Sequence, residues 1–506
     1  MSSREGAPTD VGRVNRSSLT PALVFAALLF LGLGLRTAAL LNERNLWFDE
    51  SRLALNLVER TPAQLLEPLD RNQAAPIGFL LLTKAAIQHV GASAVGFRLV
   101  SYLGSLLGLF AFLWLARRLF SETTAFLAVA LFAVAPGLIS YAAECKQYAL
   151  DAACTVALFS VAVKLLEGRG GVRAWMGLAL AGAIAVWTSH SAVFVLGGIG
   201  AVLLAESVRN RDRARFLGAA ATVGCWLASF VASFLLFNVH SAGNPHLRAY
   251  WGEHFLPMPP RSPGDLLWLP EHYFTLFDNP AGLDGTEVRA GGIAAVLFLV
   301  GFWEMWKQRR PLALAIALTA LLALGASALQ RYPFAARLLL FLVPLVILGV
   351  ARGAGLLFTA LRPTQPFAAF TFLTVLIAAP CLESFERIGR PARLEQLEPV
   401  IARVRTQFES GDRLYVYYGA APAFTFYTRE NPFPPGAVLI ETEAYTERAA
   451  YRSQLAALRG ARRVWLLFSH AYEDDAAIIT VYAEELGRCE LVVTAPGAAA
   501  YLLEFD

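Results

Sequence analysis

Charged residues are scarce in this 506-residue chain. They make up 16 % of it, against about 25 % in soluble globular proteins, while hydrophobic residues reach 56 %. That balance excludes an ordinary water-soluble enzyme. A strong excess of one charge sign is also missing, since 43 Lys+Arg face 39 Asp+Glu and the net charge is +4. No nucleic-acid partner is implied. Cysteine is sparse and odd in number, with Cys145, Cys154, Cys225, Cys381 and Cys489 scattered and no CxxC pair, which argues against a disulfide framework or a cysteine zinc site. One loop holds His240, His246, His254 and His272 without a metal-ligand spacing such as HExxH.

What is abundant is long apolar runs. A helix needs about 20 apolar residues to cross a hydrocarbon core, and about eleven stretches qualify: 20–41, 97–116, 122–139, 148–165, 174–188, 191–206, 216–237, 290–306, 311–328, 334–350 and 365–382. The stretch 76–90, PIGFLLLTKAAIQHV, is shorter and starts at a proline, so it reads as an interfacial helix lying in the membrane plane. Arginines and lysines cluster in alternate loops, at 117–118, 169–173, 209–215, 307–310 and 352–362. Those loops, with the tail 1–19, are expected on the cytoplasmic side. The first apolar run is too long for a cleavable signal, and no small-residue cleavage site follows it.

The opposite face then receives the loops 42–96 and 238–289, the link 140–147, and everything from about 383. Composition changes in that last part. EPVIARVRTQFES reads as an amphipathic helix; GDRLYVYY, RRVWLLFSH and CELVVTAPG read as strands; 446–458 and 473–487 have helical patterns. The expected fold class is a polytopic α-helical membrane domain, 20–382, followed by a small α/β domain with a mixed or parallel sheet, 383–506. No phosphate-cradling glycine loop occurs in the latter.

Three polar clusters fall on the outer face. NLWFDESRLAL places Asp49, Glu50 and Arg52 just beyond the first span. The acids complement a helix N-terminus, with Asp49 as cap of a helix 50–59, and Trp47 and Phe48 would hold the segment at the interface, where a carboxylate can serve as a base. YAAECKQYALDAA brings Glu144, Lys146, Tyr148 and Asp151 between two apolar spans, where ionisable side chains are costly and usually functional. QRYPFAARLLLFLVP carries Arg331 and Arg337 on the side that normally lacks positive charge. Guanidinium groups there either snorkel to lipid phosphate or fork onto a substrate phosphate, with Tyr332 and Pro333 fixing the loop. Lys84, on the in-plane helix, is a further substrate-binding candidate. The aromatic loop 238–289, with Tyr250, Trp251 and Trp268, reads as an interfacial anchor or a cover over a cleft.

Trp47-Phe48-Asp49-Glu50 with Arg52, then GASAVGFRLVSYLGSLLGLFAFLWLARRLF, then the Glu144 segment and RYPFAAR together resemble the GT-C glycosyltransferases, in the branch of the protein O-mannosyltransferases and the aminoarabinose transferases. The resemblance covers about residues 20–382. It implies transfer of a sugar from a polyprenyl-phosphate carrier at the periplasmic face of a bacterial inner membrane. It also implies Asp49 as base, a role for Arg52, and Glu144 as the acid of the second outer loop. One departure is plain: relatives often carry a basic residue and a Pro-Pro pair before the in-plane helix, whereas this chain reads Asn72-Gln73-Ala74-Ala75-Pro76.

The chemistry follows without the family. A lipid phosphate is a good leaving group, so a site needs one base for the acceptor hydroxyl and cations for the departing anion. Asp49 is the expected base, Arg331 and Arg337 the leading phosphate binders, Lys146 a third, and Glu144 an orienting group for the acceptor or Lys146. Asp49 and Glu50 are also candidate ligands for a divalent cation. The acceptor is a hydroxyl of an envelope lipid, glycan or protein. The competing class is a transporter or lipid flippase, which would move its substrate across liposomes without covalent change. A receptor or assembly protein needs far fewer spans.

Overall fold

The computed structural model describes residues 16–42, 44–239, 245–285, 288–389, 395–441 and 449–505. Among them, eight helices are long and apolar enough to cross a membrane, and the bent pair Glu122–Val134 with Pro136–Ala143 makes a ninth. Val172–Thr188 and Gly291–Gln308 occupy two further expected spans. The helices that position the site are α1 (Arg16–Leu40), α2 (Phe48–Glu59), α3 (Ile77–Val90), α4 (Ala94–Leu119), α5 (Glu122–Val134), α6 (Pro136–Ser140) and α7 (Tyr148–Leu166). At 14 residues α3 is too short to span. It buries Ile77, Phe79, Leu80 and Ile87 and leaves Leu81 and Leu82 exposed.

The central span, Ala336–Leu361, is the most buried of the eight. It packs against Gly291–Gln308 so closely that a Cβ on Gly301 would strike the Gly349 carbonyl, and one on Gly353 would strike the Leu297 carbonyl. Small residues let the two backbones touch, which is how helices associate where lipid removes the hydrophobic drive.

The bend between α5 and α6 measures 49°. Pro136 has no N–H for the Phe132 carbonyl, so the helical ladder breaks there. Side chains from elsewhere satisfy the freed oxygens. Arg36, buried in α1, donates to the Phe132 carbonyl at 3.2 Å, the Ala133 carbonyl at 3.0 Å and Ser105 Oγ at 2.8 Å. Ser384 Oγ donates to the Val134 carbonyl at 2.7 Å. The bend delivers residues 141–147 to the end of the bundle that carries α2.

Two arginine-rich loops meet at the other end, where Glu167 takes Arg118 at 2.5 Å and also Arg309. Loops expected on one side of the membrane therefore share one end of the molecule.

Helix Pro366–Gly389 runs past the expected domain start, and the sheet unit follows it. Its strands are β1 (Arg413–Val416), β2 (Val438–Ile440), β3 (Arg463–Ser469), β4 (Gly487–Ala495) and β5 (Ala498–Phe505), in the order β2-β1-β3-β5-β4. β1 is parallel to β2 and β3; β5 is antiparallel to β3 and β4. The sheet is thus mixed. Helices Leu397–Gln407 and Asp475–Glu484 match their sequence patterns, and Ala449–Ala456 matches the described part of 446–458. β2, β5 and the helix Ala421–Thr428 carry no clear sequence signal, because β5 opens on three alanines and β2 has only three residues.

Candidate active site

Asp49 lies in the first turn of α2, and side chains from two distant segments meet it. Arg337 Nη2 is 2.6 Å from Asp49 Oδ2, and Lys146 Nζ is 3.8 Å from the same oxygen. These groups come from before α3, from the α6–α7 link and from the start of the central span. The residue before Arg337, Ala336, has φ +42°. A non-glycine residue in that region stores strain, which surrounding structure must hold, and such positions gather at functional sites. Trp47, Tyr148 and Trp251 place their rings 5.5, 5.7 and 5.8 Å from the Arg337 guanidinium carbon. Arg337 is therefore caged by three aromatic faces and aimed at one carboxylate.

Burial favours the protonated form of Asp49, but Lys146, Arg337 and Arg52 outweigh it and hold the carboxyl below its ordinary range. Glu144 moves the other way. Burial and the nearby Glu50 charge raise it, with Arg44, Arg337 and Lys146 only partly compensating. Two acids at one end of the bundle are thereby split, one kept ionised and one pushed toward the neutral form.

The remaining expected residues divide clearly. Lys146 donates to Gln73 Oε1 at 2.7 Å, so its ammonium is steered by the segment before α3 and not by Glu144. Glu144 instead accepts from Trp47 Nε1 at 3.0 Å. The Arg52 guanidinium lies 3.9 Å from the Phe48 ring centre. Tyr332 Oη donates to the Leu338 carbonyl at 2.7 Å and so closes the turn that presents Arg337. Arg331 is exposed and makes no contact with Asp49. Lys84 Nζ donates to the Leu57 carbonyl at 2.6 Å, near the end of α2, where a cation complements the helix dipole.

Glu50 is fully buried and engaged by Arg98, Oε1 with Nε at 2.9 Å and Oε2 with Nη2 at 2.7 Å. Its Oε1 also accepts the Cys145 N–H at 2.8 Å. Burial opposes its charge, but Arg98 wins and holds the carboxyl low. Glu50 therefore ties α2, α4 and the α6–α7 link together. Asp49 and Glu50 face different guanidinium groups, Arg337 and Arg98. Among the described residues no three His, Cys, Asp or Glu side chains gather as a metal site, and His240 lies outside them. The expected helix cap also changes. α2 starts at Phe48 with Trp47 at the cap position, and Trp47 makes no capping bond, so Asp49 is inside the helix.

A cavity of about 490 Å³ opens beside this group, lined by Arg44, Trp47, Tyr141, Glu144, Arg337 and Arg387 among others. A second, of about 530 Å³, lies at the opposite end of α7, where Glu167 is consumed by Arg118 and Arg309. The first is lined by Arg337, which also holds Asp49, and by Glu144. Gln73, Trp251, Arg44 and Arg387 escaped sequence reasoning. Trp251 at least belonged to a loop whose aromatic content pointed to a cover.

The fold is that of a multi-pass membrane protein and has the architecture of the GT-C glycosyltransferases. The family model for dolichyl-phosphate-mannose-protein mannosyltransferase matches residues 74–235. ArnT from Cupriavidus metallidurans in the apo state is similar at 14 % identity and TM-score 0.55, over 96 % of this chain and 98 % of that one. The same protein bound to undecaprenyl phosphate matches at 15 % identity and TM-score 0.55, over 97 % and 98 %. AglB from Archaeoglobus fulgidus, an oligosaccharyltransferase in complex with an inhibitory peptide and a dolichol-phosphate, matches at 11 % and 0.54, over 96 % and 74 %. No curated protein sequence matches the chain. At these identities the solved structures establish the fold.

Proposed function

We propose that the chain is an inverting glycosyltransferase that moves a sugar from a polyprenyl-phosphate donor to a hydroxyl of an envelope lipid, glycan or protein. The outer end of its bundle would face the periplasm of a bacterial inner membrane. The observation that carries this reading is the 2.6 Å contact between Asp49 and Arg337, 288 residues apart, with Arg337 also lining the cavity. ArnT bound to undecaprenyl phosphate and AglB with a dolichol-phosphate support a lipid-phosphate donor.

Arg337 and Lys146 both lie against Asp49. An arriving phosphate competes for Arg337 and Lys146, and as they turn to it Asp49 loses the neighbours that keep it acidic. Its basicity then rises when it is needed. The acceptor hydroxyl gives its proton to Asp49 while its oxygen bonds to the anomeric carbon. The bond from that carbon to the phosphate oxygen breaks, and the electron pair leaves on the lipid phosphate, stabilised by Arg337 and Lys146. Attack from the face opposite the leaving group inverts the anomeric centre. Glu50, Arg98 and Gln73 hold the frame, and Trp47, Tyr148 and Trp251 keep Arg337 directed into a site of low dielectric.

The test separates the two arginines. Arg337→Gln should lower transfer by about 10²–10³-fold, the cost of losing one preorganised charge-stabilising donor, and weaken undecaprenyl phosphate binding. Arg331→Gln should retain wild-type rates and binding. A loss confined to Arg331→Gln would mean that the exposed turn, and not the caged guanidinium, meets the phosphate.

A further inference from the structure

The residues just before Asp49 are gripped by side chains from far down the chain. Asn45 exchanges two hydrogen bonds with Glu398, Nδ2 donating to Oε2 at 2.9 Å and the Glu398 N–H donating to Asn45 Oδ1 at 3.0 Å. The Leu46 N–H donates to Tyr427 Oη at 2.7 Å. The Phe48 N–H donates to Glu395 Oε2 at 2.6 Å, and the other Glu395 oxygen is bonded to His470 Nδ1 at 2.6 Å. The His470 ring lies flat on Phe48, with centroids 4.2 Å apart and planes within 5°.

His470 directly follows β3, whose carboxyl end is where open α/β sheets take their ligands. Here that edge holds the chain's own Phe48. A helix leaves its first N–H groups without internal partners, and Trp47 supplies no side-chain cap. Glu395, itself buried, supplies it from the other domain and places a carboxylate at the positive end of α2. The next residue is Asp49. If the first turn frays, Asp49 swings away from Arg337, and a displacement of about 1 Å at a reacting group can cost about 10² in rate.

We propose that Glu395, His470 and Tyr427 are positioning residues for Asp49, so that the C-terminal domain sets the catalytic geometry from outside the bundle without touching the reacting atoms. The inference rests on Asp49 being the base of the transfer reaction. It assigns the domain a task in catalysis that the helical bundle alone does not perform.

The experiment uses the full-length protein in nanodiscs with polyprenyl-phosphate donors carrying mannose or aminoarabinose, and undecaprenyl phosphate as binding probe. Glu395→Ala should lower kcat by about 10²-fold while undecaprenyl phosphate binds at least as tightly as to the wild type. The acid limb of its kcat/KM profile should move up, because an Asp49 drawn away from Arg337 loses the charge that keeps it acidic. Glu395→Gln, which still accepts from Phe48, and His470→Phe, which keeps the stack, should recover most of the rate. Should Glu395→Ala fail to fold, His470→Ala, which removes the stack and the bond to Glu395, and Tyr427→Phe, which removes the bond to Leu46, carry the same criteria. Wild-type kcat in these variants, or a loss of kcat that tracks the folded fraction with an unmoved acid limb, overturns the proposal. A wild type inert toward these donors fails the transfer reading and this inference with it; an active wild type with indifferent variants fails this inference alone.

Discussion

Asp49→Asn is expected to lower transfer by about 10²–10⁴-fold, the range for removing a positioned general base, while the protein keeps its fold and binds undecaprenyl phosphate more tightly. The second half of that outcome follows from the contacts. Arg337 and Lys146 both rest on the Asp49 carboxylate, and a neutral amide releases them to the phosphate. Reduced binding with reduced transfer would instead make Asp49 part of the donor site, and unchanged turnover would remove it as base. The pH dependence has a definite sign. The free-enzyme carboxyl lies below its ordinary value, so kcat/KM should persist into acid below the usual aspartate range of about 3.9. In kcat, which reports the loaded enzyme, the acid limb should stand higher, since the donor has drawn the cations away. The same depression means that the stability Asp49 contributes is complete above the ordinary value and is lost as pH falls through the folded one. Asp49→Asn should flatten that loss.

Arg98→Ala should be the most damaging change to stability, costing about 3–5 kcal/mol, because it strands a carboxylate in the interior. Glu50 and Arg98 are both inaccessible to solvent, so water cannot replace the lost partner. Glu50→Ala should cost a similar amount for the converse reason. The pair Glu50→Leu with Arg98→Met should recover much of the loss in thermal unfolding, since two apolar side chains can fill a site that two charges left together. If the double variant folds yet transfers at close to the wild-type rate, Glu50 is structural. If it folds and is inactive, Glu50 takes part in the chemistry directly.

The helical architecture was legible in the sequence, and Asp49 and Arg337 stood out as candidates, because each has a local physical signature. Runs of apolar residues announce spans, and cations on the side that lacks them announce a reason for being there. What local pattern cannot show is partner choice. Asp49 and Glu50 are adjacent and chemically alike, yet one meets Arg337 and Lys146 and the other is fixed by Arg98, an arginine that sequence reading leaves inside an apolar run. Arg331 and Arg337 likewise flank one short turn. Tyr332 folds that turn so that only Arg337 is directed inward. Gln73 carries no charge and so gives no sequence signal, although it holds the ammonium group beside the base. The two β-strands that escaped notice are alanine-rich or three residues long, and neighbouring strands, not intrinsic preference, make them extended.

Arg36 and Pro136 lie 100 positions apart, and each makes the other tolerable. The proline opens oxygens that would otherwise be unsolvated in lipid, and the guanidinium would be intolerable there without those oxygens. Natural variation should therefore exchange the two together: a descendant that straightens this helix would be free to lose its arginine, and one that keeps the kink would not.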